Sequence, residues 1–75
     1  MNDIEFTPLE DLSYEAALKE LEELVSLLEK GENDLQSTLV YFERGQALAA
    51  HCLSLLDQAE LKVEQILEED ANDAS

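Results

Sequence analysis

The sequence is short of nearly everything that lets a small protein stabilise itself or carry out chemistry alone. Its 75 residues include one cysteine, one proline, one histidine, two glycines and no tryptophan. A single cysteine, Cys52, excludes an intrachain disulfide. With no CxxC, no HExxH and no second histidine, the usual metal-site patterns are missing. Chains of this length seldom bury a sufficient core without such a staple. The remaining staple is another polypeptide, and neither a cofactor nor a metal is expected.

Positive charge is equally scarce. Four Lys and Arg residues face nineteen Asp and Glu, a formal net charge of -15. Even on one face, Lys19, Lys30, Arg44 and Lys62 would offset only about four phosphates against a far larger acidic field. Direct nucleic-acid binding is not expected of this chain, and anionic membrane surfaces are disfavoured for the same reason. No stretch approaches the roughly 18 apolar residues of a membrane span. The amino-terminal MNDIEFTPLEDL lacks a basic region followed by an apolar core. A soluble, cytoplasmic protein is predicted.

What the chain does contain is helical periodicity. Residues 1–12, with the only proline at Pro8, read as a flexible leader, although Phe6, Leu9 and Leu12 offer local packing. Ser13 is a candidate N-cap and Glu15 suits the first turn. Tyr14, Leu18, Leu21, Val25 and Leu28 then recur at spacings of four and three, flanked by Ala17 and Leu24. This is the apolar seam of an amphipathic helix over 14–30. Lys30 and Gly31 supply a cationic last turn and a C′ glycine.

Asp34 is a good N-cap for a second helix, predicted over 35–68 and about twice the length of the first. Its seam, counted from Leu35, runs through Thr38, Phe42, Gly45, Ala49, Cys52, Leu56, Ala59, Val63 and Ile66. Gly45 stays in register, so it reads as a site of close approach rather than a helix stop. Tyr41, Leu48 and Leu55 flank the seam on one side; Leu39, Leu53 and Leu67 flank it on the other. Glu43, His51, Asp57, Glu64 and Glu68 fall on the outer face.

The short connection makes the helices antiparallel neighbours. The fold class is therefore all-α, a coiled-coil-like two-helix antiparallel hairpin with a long second helix, completed by oligomerisation or a partner subunit. Folded back on the first helix, the second outruns it near Cys52, leaving Leu53, Leu55, Leu56, Val63, Ile66 and Leu67 uncovered. Apolar area of that extent marks an interface. Phe42, Gly45, Leu48, Ala49, Cys52 and Ala59 join these six as candidate partner-binding residues. Arg44 and Lys62 complete the set, because neither has an acid three or four positions away. Their counter-charges are expected on helix one or on another polypeptide. Residues 69–75 read as an acidic, disordered tail.

Catalytic constellations are absent from this pattern. Glu20 with Glu23, and Glu60 with Glu64, are carboxylate pairs on outward faces. A helical di-metal site would want Glu-x-x-His, but Leu48 stands three before His51. Adjacent helical positions diverge by about 100°, which separates His51 from Cys52 and argues against a nucleophile pair. No catalytic residue is assigned.

Four segments, SYEAALKELEELV, LEKGE, FERG and AELKV, occur in this order between Ser13 and Val63. The string from Ser13 to about Ile66 that contains them resembles the small subunit of exodeoxyribonuclease VII. Asn33 departs from the pattern, since members of the family often carry an apolar residue after the Gly-Glu pair. The resemblance implies a helical hairpin with a long second helix. It also implies a non-catalytic subunit, with the active site on a large subunit whose long helical region binds several small ones. The complex so implied degrades single-stranded DNA from either end to acid-soluble oligonucleotides. Association with the large subunit and self-association are the partners expected. An acidic helical interaction module that acts alone is the alternative from another class.

Overall fold

The computed structural model describes residues 6–73, with side chains through Glu69. Among the described residues, two helices, α1 (Tyr14–Lys30) and α2 (Leu35–Asp73), pack against each other, and a 3-10 turn, Leu9–Asp11, precedes them. The pairings Leu12 with His51, Glu20 with Arg44 and Leu21 with Gly45 establish that the helices run antiparallel. As one partner number rises, the other falls. The molecule is an all-α hairpin.

Each helix end has a local chemical cause. The Ser13 hydroxyl accepts from the Ala16 amide at 3.1 Å, satisfying one of the donors that open α1. At the other end Gly31 adopts φ 67, a left-handed conformation that favours glycine, and its amide donates to the Leu28 carbonyl. Asn33 supports the same end, donating from Nδ2 to the Leu27 carbonyl at 2.9 Å. In α2, Asp34 accepts the Ser37 amide at 2.7 Å on its carboxylate, while its backbone carbonyl accepts from the Thr38 amide and hydroxyl. The Ser37 amide and hydroxyl, in that order, hold the Asp34 carboxyl below its ordinary value of 3.8.

The core is small: Ala17 and Leu24 of α1 against Leu48 and Cys52 of α2. Tyr14, Leu18, Leu21, Leu27 and Tyr41 pack around it, together with Leu9 and Leu12 from before α1. Both helices are rotated relative to the seams expected from spacing alone. In α1 the stripe centres on Ala17 and Leu24, and Val25 is 45% exposed. In α2 the stripe that meets α1 is Tyr41, Gly45, Leu48 and Cys52, continued along the helix by the half-buried Leu55, while Phe42 is 53% exposed. Leu48, wholly buried, fills the space between the helices better than the smaller Ala49 on the neighbouring stripe. Two polar contacts, Arg44 to Glu20 and His51 to Leu12, pull α2 the same way.

Helix α2 is 39 residues long against 17 in α1. The whole molecule extends 63 Å along its long axis but only 21 and 14 Å across. From Leu56 through Glu69 every residue is exposed. Residues 69–73, expected in a disordered tail, continue α2, whereas Ala74, Ser75 and the first five leader residues lie outside the described residues.

Candidate functional site

Rotation of α2 onto Tyr41, Leu48 and Leu55 leaves a second apolar stripe turned away from α1. It follows Leu35, Leu39, Phe42, Gln46, Ala49, Leu53, Leu56, Glu60, Val63 and Leu67, at alternating spacings of four and three along the helix. Eight of these ten positions are apolar, and all are exposed except the half-buried Ala49. A 4-3 repeat kept over this length is the seam that a second helix fills by knobs-into-holes packing. Leu56, Ala59 and Val63 line a shallow apolar depression on it, flanked by Glu60 and Glu64.

The predicted partner-binding residues divide by exposure. Phe42, Leu53, Leu56, Ala59, Val63, Ile66 and Leu67 are exposed, and Ala49 is half-buried beside them. Leu48 and Cys52 are instead covered within the chain, at 0% and 7% exposure, and Leu55 is half-buried. Gly45 faces α1: a Cβ built there would meet Leu21 Cδ1 at 3.7 Å, an ordinary van der Waals contact. Helix one therefore does not approach so closely that only glycine fits.

Arg44 finds its counter-charge on α1, one of the two places the missing local acids pointed to. Its Nε donates to Glu20 Oε2 at 2.6 Å and its Nη2 to Glu20 Oε1 at 3.0 Å, a two-pronged grip with both side chains largely shielded. The same Nη2 donates to the Thr7 carbonyl at 2.7 Å, and the guanidinium sits 4.7 Å from the centre of the Phe6 ring. Lys62 is exposed and, among the described residues, has no ion pair.

His51 was expected in solvent on the outer face. It is half-buried, with Nε2 3.0 Å from the Leu12 carbonyl, where a ring N–H donates. Periodicity within α2 could not reveal this contact, because its partner lies 39 residues away. The available signal was in the leader, where Phe6, Leu9 and Leu12 recur at every third position around Pro8. Cys52 is a buried free thiol in the core.

Among the described residues, no group of three or more His, Cys, Asp and Glu side chains is arranged to hold a metal ion. No helix among them is long and apolar enough to cross a membrane. The surface is dominated by carboxylates. On the flank of the open stripe Glu43, Asp57 and Glu64 stand fourteen and seven residues apart, with Ala50 at the intervening heptad position, in the positions beside a helix seam that set partner choice by charge.

No solved structure matches the chain. Sequence relatives are abundant, and those that follow all carry the name exodeoxyribonuclease 7 small subunit. The protein from Symbiobacterium thermophilum is 48% identical over 61 residues, covering 81% of this chain and 82% of the relative. The one from Corynebacterium aurimucosum is 48% identical over 66 residues, covering 88% and 70%. A third, from Novosphingobium aromaticivorans, is 48% identical over 59 residues, covering 79% and 71%. The family model described as exonuclease VII small subunit matches residues 14–65, the hairpin and most of the helix beyond it. The chain belongs to the exonuclease VII small-subunit family.

Proposed function

We propose that this chain is a non-catalytic subunit of exodeoxyribonuclease VII that binds the catalytic large subunit through the open stripe of α2. The enzyme so assembled degrades single-stranded DNA from either end into acid-soluble oligonucleotides, and this chain holds the large subunit in a competent, soluble form. The observation that carries the reading is the 4-3 apolar repeat from Leu35 to Leu67, which continues past the end of α1 with no intramolecular cover. A helix of the large subunit supplies that cover. Glu43, Asp57 and Glu64 beside the stripe favour basic residues on the partner helix, and Glu60 within it calls for a facing cation.

The side chains otherwise suited to chemistry support a structural role. Cys52 is spent in the core and His51 on the Leu12 carbonyl. The acidic exterior leaves DNA contacts to the large subunit. Of the residues expected to bind a partner, Phe42, Ala49, Leu53, Leu56, Ala59, Val63, Ile66 and Leu67 remain accessible for docking. Leu48, Cys52, Gly45 and Arg44 serve the hairpin that presents them, and Lys62 stays available to an acidic group on the partner.

Co-purification with the large subunit tests the stripe. Leu56→Asp places a charge in the seam and is expected to weaken binding by about 3 kcal/mol, roughly a hundredfold. Leu61→Asp serves as the control, since Leu61 is 59% exposed but lies on the acidic side of the helix. Equal retention of the large subunit by both variants would remove the stripe as the docking surface.

A further inference from the structure

The segment from Phe6 to Leu12 is bound by the rest of the chain in a way that a loose leader would not be. Pro8 has φ -55 and ψ 138, the polyproline II region, and the Leu9–Asp11 turn is 3-10. Both conformations repeat every three residues, which suits the spacing of Phe6, Leu9 and Leu12 for contact along one side. Leu9 and Leu12 pack on the core, and Phe6 lies over the Arg44 guanidinium.

Two side chains of α2 read the segment's backbone. Arg44 donates to the Thr7 carbonyl at 2.7 Å, and His51 meets the Leu12 carbonyl at 3.0 Å. They stand seven residues apart on α2, two helical turns, and so grip both ends of a short segment laid along the hairpin. Inside the segment, the Asp11 and Leu12 amides close the turn onto the Pro8 and Leu9 carbonyls. Phe6 and Thr7 also border a depression shared with Glu20, Glu23, Leu24, Leu27 and Tyr41.

We infer that the hairpin carries a groove for an extended peptide, occupied by the chain's own Phe6–Leu12, and that Arg44 and His51 are the latches of this intramolecular strap. The groove takes a segment with apolar residues at every third position and two backbone carbonyls free to accept hydrogen bonds. Charge adds to the Arg44 latch. The strap brings Glu10 and Asp11 toward a hairpin rich in carboxylates, and Arg44 is the cation placed between Glu20 and the strap. Once latched, the strap closes one side of the hairpin, and the α2 stripe on the other side is left to receive a partner. The inference holds whichever protein docks on that stripe.

The test uses the full chain in dilute solution, with amide hydrogen exchange at Asp11 and Leu12 and the reaction of Cys52 with a soluble aromatic disulfide as readouts. Unmodified protein is expected to protect both amides and to react slowly at Cys52. The double variant Phe6→Ala, His51→Ala removes contacts to the strap and leaves the Arg44–Glu20 pair in place. It is expected to lose the amide protection and to react about tenfold faster at Cys52, as follows from losing one hydrogen bond and one cation–π contact. Helix content by circular dichroism should stay unchanged. Asp11 and Leu12 amides that exchange at unprotected rates in the unmodified protein would overturn the inference, and that measurement stands even if the variant unfolds. Retained protection with an unchanged thiol rate in the variant would overturn it too.

Discussion

Gly45 shows how a residue that looks conspicuous in the sequence acquires a limited meaning in the structure. A glycine inside a helix costs about 1 kcal/mol relative to alanine, and the uninterrupted α2 runs straight through it. Among the described residues, an added methyl would meet Leu21 Cδ1 of α1 at 3.7 Å, an ordinary contact, so α1 tolerates one carbon there. Gly45→Ala is therefore expected to stabilise the isolated chain by up to about 1 kcal/mol, read as a higher urea midpoint at unchanged slope. A lower midpoint would mean that the helices approach more closely in solution than 3.7 Å allows. Binding of the large subunit by the same variant then asks a separate question. Loss of affinity from a stabilised hairpin would place the close approach at the intermolecular surface.

At the scale of elements, caps and turns were legible because their chemistry is local. Ser13, Gly31 and Asp34 act on groups within three or four residues of themselves, and each residue type announces what it does. The rotation of each helix was not legible, because apolar residues in α2 form adjacent stripes that a 4-3 count fits equally well. What selects Tyr41, Leu48 and Leu55 over Phe42, Ala49 and Leu56 is contact across the hairpin, above all Arg44 with Glu20 and His51 with Leu12. Only the missing local acids around Arg44 hinted at the first, and nothing within α2 hinted at the second. The Asp34 cap yields a prediction at this scale. Its carboxyl titrates below its ordinary value in the folded chain, so its contribution is fully present above about pH 3.8 and is lost as pH falls through the depressed folded value. Asp34→Asn keeps a capping oxygen but removes that titration. The stability difference between the two proteins should be constant near neutrality and change only in the acid range; a difference that varies between pH 5 and 8 would contradict the cap assignment.

For the whole molecule, the decisive quantity is the charge of -15 spread over a rod 63 Å long. The open stripe would also serve self-pairing, but two copies bring twice that charge into one particle. In an antiparallel pair Glu43, Asp57 and Glu64 face the same carboxylates of the other copy. Apolar burial along the stripe favours pairing and the carboxylates oppose it, so ionic strength decides between them. Between about 0.1 and 1 M salt the Debye length falls from roughly 10 Å to 3 Å, shorter than the spacing between helix axes. Light scattering of the isolated chain should show its average mass rising across that range. The proposed docking on a large-subunit helix with basic flanks would carry the opposite sign, because screening weakens attraction between unlike charges. The affinity for the large subunit should therefore fall across the same salt series in which the isolated chain self-associates. If both rise together, the partner helix is held by apolar contact alone, and the carboxylates beside the stripe serve solubility rather than partner choice.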